Sequence, residues 1–365
     1  MYNTDERALL WFNTFNITSK KKNIIVDLFS SPSEMFTNFR DLKEDILQII
    51  DVNTYNQINM LREKSYVDKI INDLSVKNVK AVTFASDEYP KKLKDYLYDP
   101  PLVIYYKGDF SLINENQCIA IVGSRKTTRY GQDVTKKFAK ELSFYNFCIV
   151  SGLARGVDTI AHKECLDNDG RTIAVLGCGI DVVYPSENRE LYDEIAEKGL
   201  LITEFPLGTS PLSYNFPQRN RIISAISDSV LVTEAGEKSG TMITVNYAID
   251  FSKDLFVVPG NITSEMSIGT NNLIKNRDNV IITTNINDIL TRYDMKPRTI
   301  VVDAIQLDFI QQCIIDYLAD GKKHLHEIMN KANINLTETI NLLTGLKSAK
   351  LIRQIPGNFY ELQPK

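Results

Sequence analysis

The run Cys118–Gly131, CIAIVGSRKTTRYG, constrains the fold more than any other stretch of the chain. Ile119 to Val122 are four apolar residues and read as a short buried strand. The strand ends at Gly123 and Ser124, and a helical pattern starts at about Tyr130. A strand, a Gly/Ser turn and a helix start put free backbone N–H groups and the positive end of a helix dipole at one spot, which suits an anion. Arg125 adds a fixed charge on a planar fork that matches phosphate. No Gly-Lys-Ser/Thr follows, so the turn is not a P-loop, and it is not a GxGxxG fingerprint either.

The pattern recurs twice. CIVSGLARGVD, Cys148 to Asp158, is again strand, Ser151–Gly152 turn and helix, with Arg155 in the turn. TIAVLGCGIDVVYP, Thr172 to Pro185, is a third strand ending in Gly177 and Gly179. A spacing of roughly 25 to 30 residues fits βαβ units. In an open parallel sheet these turns gather at the carboxyl edge of the strands and line one crevice.

Two or three domains are expected in 365 residues, with 43% apolar and 24% charged content typical of soluble globular proteins. No apolar run approaches a membrane span, and no signal peptide is expected because Trp11 and Phe12 sit in a helical pattern with polar neighbours. The five cysteines are odd in number and scattered; Cys118 and Cys148 fall in buried strands, which reads as a reducing cytoplasm. With a net charge of −4, any nucleic-acid site must be a local basic patch on an acidic body.

The expected domains are 1–75, a helical SAM-like or helix-hairpin-helix-like bundle that reads mainly as scaffold; 76–112, a connector; 113–296, a Rossmann-like core; and 303–365, a winged helix-turn-helix. Within the core, Leu200–Thr203, Ser229–Thr233, Asp254–Val258 and Val280–Thr283 read as strands, and Gly240–Phe251 as a helix. A linker covers Pro297 to about Val302. Helices are expected at Phe309–Leu318, His324–Ala332 and Thr337–Ser348, then a hairpin around Pro356–Gly357. In this last module Lys322, Lys323, Lys331, Lys347, Lys350, Arg353 and Lys365 are matched by Asp303, Asp308, Asp316, Asp320, Glu327, Glu338 and Glu361. Such balance suits protein contact or regulation better than groove reading.

A second constellation is NFPQRNRIISAISD, where Arg219, Asn220 and Arg221 are read as lying just before an apolar helix. Two cations at the positive end of a helix need an anion, so both arginines are expected to face phosphate. Lys238, Ser239, Gly240 and Thr241 open another helix after a strand. Catalytic readings are weaker. His162 follows Asp158 by four residues near Ser151, but no G-x-S-x-G elbow is present, and a helix-surface or capping histidine is the simpler reading. Metal pairs at His162/Cys165 and at His324/His326/Glu327 lack further ligands. Glu204 and Glu234 end strands and are candidates for binding arginines internally.

Taken together, YPKKLKDYLYDPPLVIYYKGD, IVGSR, SGLARGVD, VLGCGIDVVYP, Asn188, FPQRNRII, SGTMIT, VPG and GTNNLI, all in order, resemble the DNA-processing protein A family, DprA or Smf. The likeness covers about residues 80 to 290. It implies single-stranded DNA binding, dimerisation, loading of a RecA-type recombinase during natural transformation, and no enzymatic activity. Two departures stand out. Ser186 occupies the place where members often carry lysine, which implies a weaker DNA contact; LIKNRDN, Leu273 to Asn279, replaces a Gly-Ala turn.

The expectation is thus an α/β protein: a Rossmann-like, mostly parallel sheet core with an N-terminal helical domain and a C-terminal winged helix. It would act as a cytoplasmic recombination mediator that protects incoming single strands, without cofactor, metal or membrane. Arg125, Arg155, Arg219 and Arg221 would hold phosphates, with Gly123, Ser124, Ser151, Gly152, Gly177, Asn188, Asn220, Lys238, Ser239, Gly240 and Thr241 beside them. Tyr130 or Tyr184 is a candidate for base stacking. The alternative is a nucleotide-binding enzyme or sensor related to nucleoside-monophosphate phosphoribohydrolases. Those need a glutamate shortly after the Gly-Thr, where this chain has Met242, Ile243 and Thr244.

Overall fold

The computed structural model describes residues 2–115, 117–297, 309–348 and 351–363. Asp303, Asp308, Lys350, Lys365 and the linker beyond Pro297 lie outside the described residues. Two compact units part after Lys296: Met1–Lys296 and Pro297–Lys365.

The first unit opens with six short helices: α1 Thr4–Asn13, α2 Ser19–Val26, α3 Pro32–Asn38, α4 Lys43–Leu47, α5 Val52–Met60 and α6 Lys64–Val76. Local chemistry sets their starts. Asn3 and Glu6 form a capping box on α1, and Thr18, Ser31 and Asp51 cap α2, α3 and α5. Trp11 is fully buried, and its indole N–H donates to the Leu61 carbonyl at 2.9 Å. These helices are not a free-standing domain. Leu9, Trp11 and Phe12 share one core with Tyr105, Ala174 and Leu201 of the sheet.

The sheet is built from β1 Lys80–Thr83, β2 Val103–Gly108, β3 Cys118–Gly123, β4 Cys148–Ser151, β5 Arg171–Val175, β6 Leu200–Thr203, β7 Ser229–Glu234, β8 Asp254–Val257 and β9 Val280–Ile282. The intervening helices are α7 Lys91–Tyr96, α8 Arg129–Phe144, α9 Val157–Leu166, α10 Arg189–Lys198, α11 Asn215–Ile226, α12 Thr241–Asp250, α13 Ile268–Asn276 and α14 Ile286–Leu290. Strand order is β1-β2-β6-β5-β4-β3-β7-β8-β9, parallel from β6 to β9, with β2 antiparallel to both its neighbours, β1 and β6. This α/β layout is consistent with a Rossmann-like core. Side chains alternate along the strands. Ala120, Val122, Val150, Val230 and Val232 meet the α11–α12 side, while Ile119, Ile121, Ile149 and Leu231 meet α8 and α9.

Two expectations change here. Residues 76–112 are not a connector, because they supply strands β1 and β2. Helix α11 starts at Asn215, so Arg219 to Arg221 lie inside it rather than before it. At the outer edge of β1, the Tyr2 hydroxyl donates to the Ala81 carbonyl and accepts from the Ala81 N–H, both at 3.2 Å.

The second unit holds α15 Phe309–Ala319, β10 Lys323–His324, α16 Leu325–Ala332, α17 Leu336–Ser348, β11 Ile352–Ile355 and β12 Phe359–Leu362. Its strands run β10-β12-β11 around a core of Ile314, Leu318, Ile328, Leu343, Leu346, Ile352 and Tyr360. Among the described residues no helix is long and apolar enough to cross a membrane.

Candidate nucleic-acid interface

The chain winds from β3 through β4 and β5 to β6 on one side, then returns to β7, β8 and β9 on the other. β3 and β7 therefore flank the point where the winding reverses, and a crevice opens at their carboxyl ends. It has a volume of about 850 Å³.

Backbone contacts sew its walls together. The Ser124 N–H donates to the Glu234 carbonyl at 2.8 Å, and the Val157 N–H to the Ser124 carbonyl at 3.2 Å. The second contact brings Gly156, at φ 77°, so close that a Cβ there would stand 2.3 Å from the Ser124 oxygen. The Ser124 hydroxyl accepts from the Lys126 N–H at 3.0 Å, turning Arg125 and Lys126 outward into solvent. The Arg125 guanidinium lies 5.2 Å from the Phe216 ring centre and makes no hydrogen bond to a described residue. Across the crevice, Lys238 is exposed and Ser239 bridges to the Thr241 hydroxyl at 2.8 Å. Gly240 precedes α12, the Ser239 hydroxyl accepts from the Thr241 N–H at 3.3 Å, and the positive end of that helix faces the crevice.

The floor is Arg219, only 3% exposed. Its Nη1 donates to the carbonyls of Gly152, at 2.7 Å, and Val175, and Nε donates to Asn220 Oδ1 at 3.2 Å. A side chain at Gly152 would push the guanidinium out of place, because a Cβ would sit 2.3 Å from Arg219 Nη2. Asp158 lies alongside and accepts from the N–H groups of Gly152 and Ala154 at 3.2 and 3.3 Å. Burial lowers Arg219 to about 10, with Asp158 opposing the shift, so it stays cationic at neutral pH. Burial raises Asp158, and Arg219 opposes that in turn. Glu237 and Glu265 are the other carboxylates on the lining.

Gly123, Ser124, Arg125, Arg219 and Asn220 thus line one crevice with Lys238, Ser239, Gly240 and Thr241. The remaining expected site residues do not join them on its wall. Arg221 is turned away, 3% exposed, ion-paired with Glu204 and donating to Ser19 Oγ at 3.1 Å and to the Asp99 carbonyl at 3.0 Å. Arg155 is exposed and ion-paired with Glu187. The Ser151 hydroxyl is buried and donates to the Ile121 carbonyl at 2.7 Å. Asn188 holds the Leu153 carbonyl and the Thr159 hydroxyl, at 3.0 and 2.8 Å. Gly177 packs beneath the Phe216 ring.

Of the strand-end carboxylates, Glu204 does bind an arginine internally, whereas Glu234 accepts from both hydroxyls of Thr127 and Thr128 and anchors the start of α8. Tyr184 lines the crevice against Phe216, ring centres 5.4 Å apart, while the Tyr130 hydroxyl donates to the Pro259 carbonyl at 2.7 Å. His162 is neither on a surface nor a cap. It is fully buried, Nδ1 lies 2.7 Å from the Thr172 hydroxyl, and burial lowers it to about 3. Among the described residues no three His, Cys, Asp or Glu side chains cluster as a metal would need. Sequence reasoning passed over Lys126 and Phe216, both on the lining; each was legible, one directly after Arg125 and the other within NFPQRN.

A profile of the DNA recombination-mediator protein A family matches residues 80–294. The Smf protein of Synechocystis is 43% identical over 213 residues, 57% of this chain and 53% of that protein. The DNA processing protein DprA of Bacillus subtilis is 39% identical over 197 residues, 54% of this chain and 66% of its own length. The chain therefore spans between half and two thirds of these two relatives. The Smf protein of Escherichia coli is 32% identical over 288 residues, 76% of each chain. Among solved structures, DNA processing protein A of Streptococcus pneumoniae is 30% identical with a TM-score of 0.66, covering 78% of this chain and 97% of that one. The Helicobacter pylori protein, described for its single-stranded DNA binding mode, is 34% identical with a TM-score of 0.53, covering 60% and 98%.

Proposed function

Since the chain belongs to the DNA recombination-mediator protein A family, we propose that it binds single-stranded DNA in the β3–β7 crevice and mediates recombination. The observation that carries this reading is the crevice rim. Arg125, Lys126 and Lys238 face solvent with no ion-pair partner among the described residues, beside the positive end of α12. Such contacts hold a backbone without reading its sequence. Arg219 stiffens the floor, and Arg155 would join a bound strand only by leaving Glu187. Phe216 and Tyr184 offer ring faces for a base.

We assign the chain no catalytic step; in this reading it works in the cytoplasm as a dimer, protects incoming single strands and hands them to a RecA-type recombinase during natural transformation. We read the second unit, three helices followed by the β11–β12 hairpin, as a winged helix that serves partner contact rather than DNA grip. Its Arg353 is already paired with Glu361.

A salt titration with an unstructured oligonucleotide tests the site. Three neutralised phosphates predict a slope of log K against log salt of about −2. A flat response, or preference for one duplex sequence, overturns the reading. Release of free base from nucleoside monophosphates would favour the enzymatic alternative.

A further inference from the structure

Helix α8 leaves the crevice carrying a cationic face that the fold itself does not use. Phe138, Ala139 and Leu142 are buried against the sheet. On the outer side Arg129, Asp133, Lys136, Lys137 and Lys140 recur three or four residues apart and so form one stripe. Arg129 is occupied with Asp133 at 3.3 Å. Lys136, Lys137 and Lys140 are exposed, and none is ion-paired with a described carboxylate. Nearby Glu141 offsets them only in part: its Oε2 is shielded from solvent without a hydrogen-bond partner among the described residues, and burial pushes its carboxyl upward against the attraction of Lys137.

A lysine-rich helix face is usually just solvated. Three unpaired like charges within two turns nevertheless repel one another, and they do so here on a chain of net charge −4. The stripe also begins beside Lys126, which belongs to the crevice wall. At 1.5 Å per residue, Arg129 to Lys140 extends about 16 Å from that rim.

We propose that Lys136, Lys137 and Lys140 form a second track for the phosphates of the single strand held in the crevice, so that the strand passes Lys126 and continues along α8. The proposal rests on the crevice reading and adds a direction to it. The crevice alone accommodates a short strand; the track matters only once the strand is long enough to leave it.

The experiment measures binding of a short oligonucleotide, about 6 nucleotides, and of one several times longer. It compares the unaltered protein, a triple variant (Lys136→Gln, Lys137→Gln, Lys140→Gln) and Arg125→Ala. The triple variant should bind the long strand about tenfold more weakly, with its salt slope reduced by about 2, at roughly 0.7 per lost phosphate contact. Its affinity for the short strand, its thermal unfolding and its oligomeric state should be unchanged. Arg125→Ala should weaken both strands. An equal loss on both lengths, no loss on the long strand, or a change confined to self-association overturns the track. If the unaltered protein binds neither strand, the crevice reading falls and the track with it.

Discussion

At the crevice rim Arg125, Lys126 and Lys238 stand in solvent with no ion-pair partner among the described residues; beneath α1 and α2, Lys22, Glu204 and Arg221 are 6%, 5% and 3% exposed and are each held by buried partners. Arg221 pairs with Glu204, Ser19 donates to Glu204 at 2.6 Å, and Lys22 Nζ donates to the backbone and side-chain oxygens of Asn13 at 2.8 and 2.9 Å. The contrast separates two uses of the same residue types. A hydrated cation is cheap to leave unpaired and gains when an anion arrives. A dehydrated one is tolerable only with its partner in place, so it serves cohesion between the N-terminal helices and the sheet.

The sharpest break of that contrast is Arg221→Ala. It leaves Glu204 buried without its cation and should cost about 3–5 kcal/mol. Denaturant unfolding reads the loss, and stability within error of the parent would mean that the buried group is not cohesive. A folded fraction at low temperature should still bind oligonucleotide.

Next comes pH. Burial lowers Lys22 to about 7, with Glu204 opposing the shift, against about 10.4 in an unfolded chain. Between these values the unfolded state binds the extra proton, so stability should rise with pH. The slope is at most about 1.4 kcal/mol per pH unit, and below about pH 7 the full burial penalty remains. Lys22→Met should flatten unfolding free energy between pH 7.5 and 9, a window of about 1.5 units. An unchanged slope would place the titration elsewhere.

Arg125→Ala should leave unfolding alone and weaken single-strand affinity about tenfold or more, since a charge-assisted bond contributes roughly 1.5–3 kcal/mol. Arg125→Lys should restore only part, because the planar fork is lost. Equal affinity in a folded Arg125→Ala protein would remove the rim from the binding site. The smallest effect belongs to Arg155→Ala. Its exposed pair with Glu187 contributes little, so affinity should fall less than about threefold and stability should hardly move. A tenfold loss would show that Arg155 exchanges Glu187 for phosphate.

Much of this was legible from residues. Runs such as Ile119–Val122 and Val230–Val232 are apolar because both faces of a parallel strand are covered, and the Gly123–Ser124 turn marks the end of the first. β1 was not legible: Lys80–Thr83 is four residues long and gains its identity only by pairing with β2. Arg221 was misread for a geometric reason. With α11 beginning at Asn215, residues 219 and 221 lie about 200° apart around the helix and cannot face one phosphate. His162 gave no sign of its burial, because four polar or charged positions around it, Asp158, Thr159, Lys163 and Glu164, suggest a wetter face than α9 has.

The Tyr2 hydroxyl that closes both hydrogen-bonding groups of Ala81 has a practical meaning for handling the protein. An open sheet edge is a template on which another chain can add a strand. A recombinant form that begins at Asn3 would bare that template while keeping every core residue of α1, and aggregation of such a form would report a lost plug rather than a misfolded core.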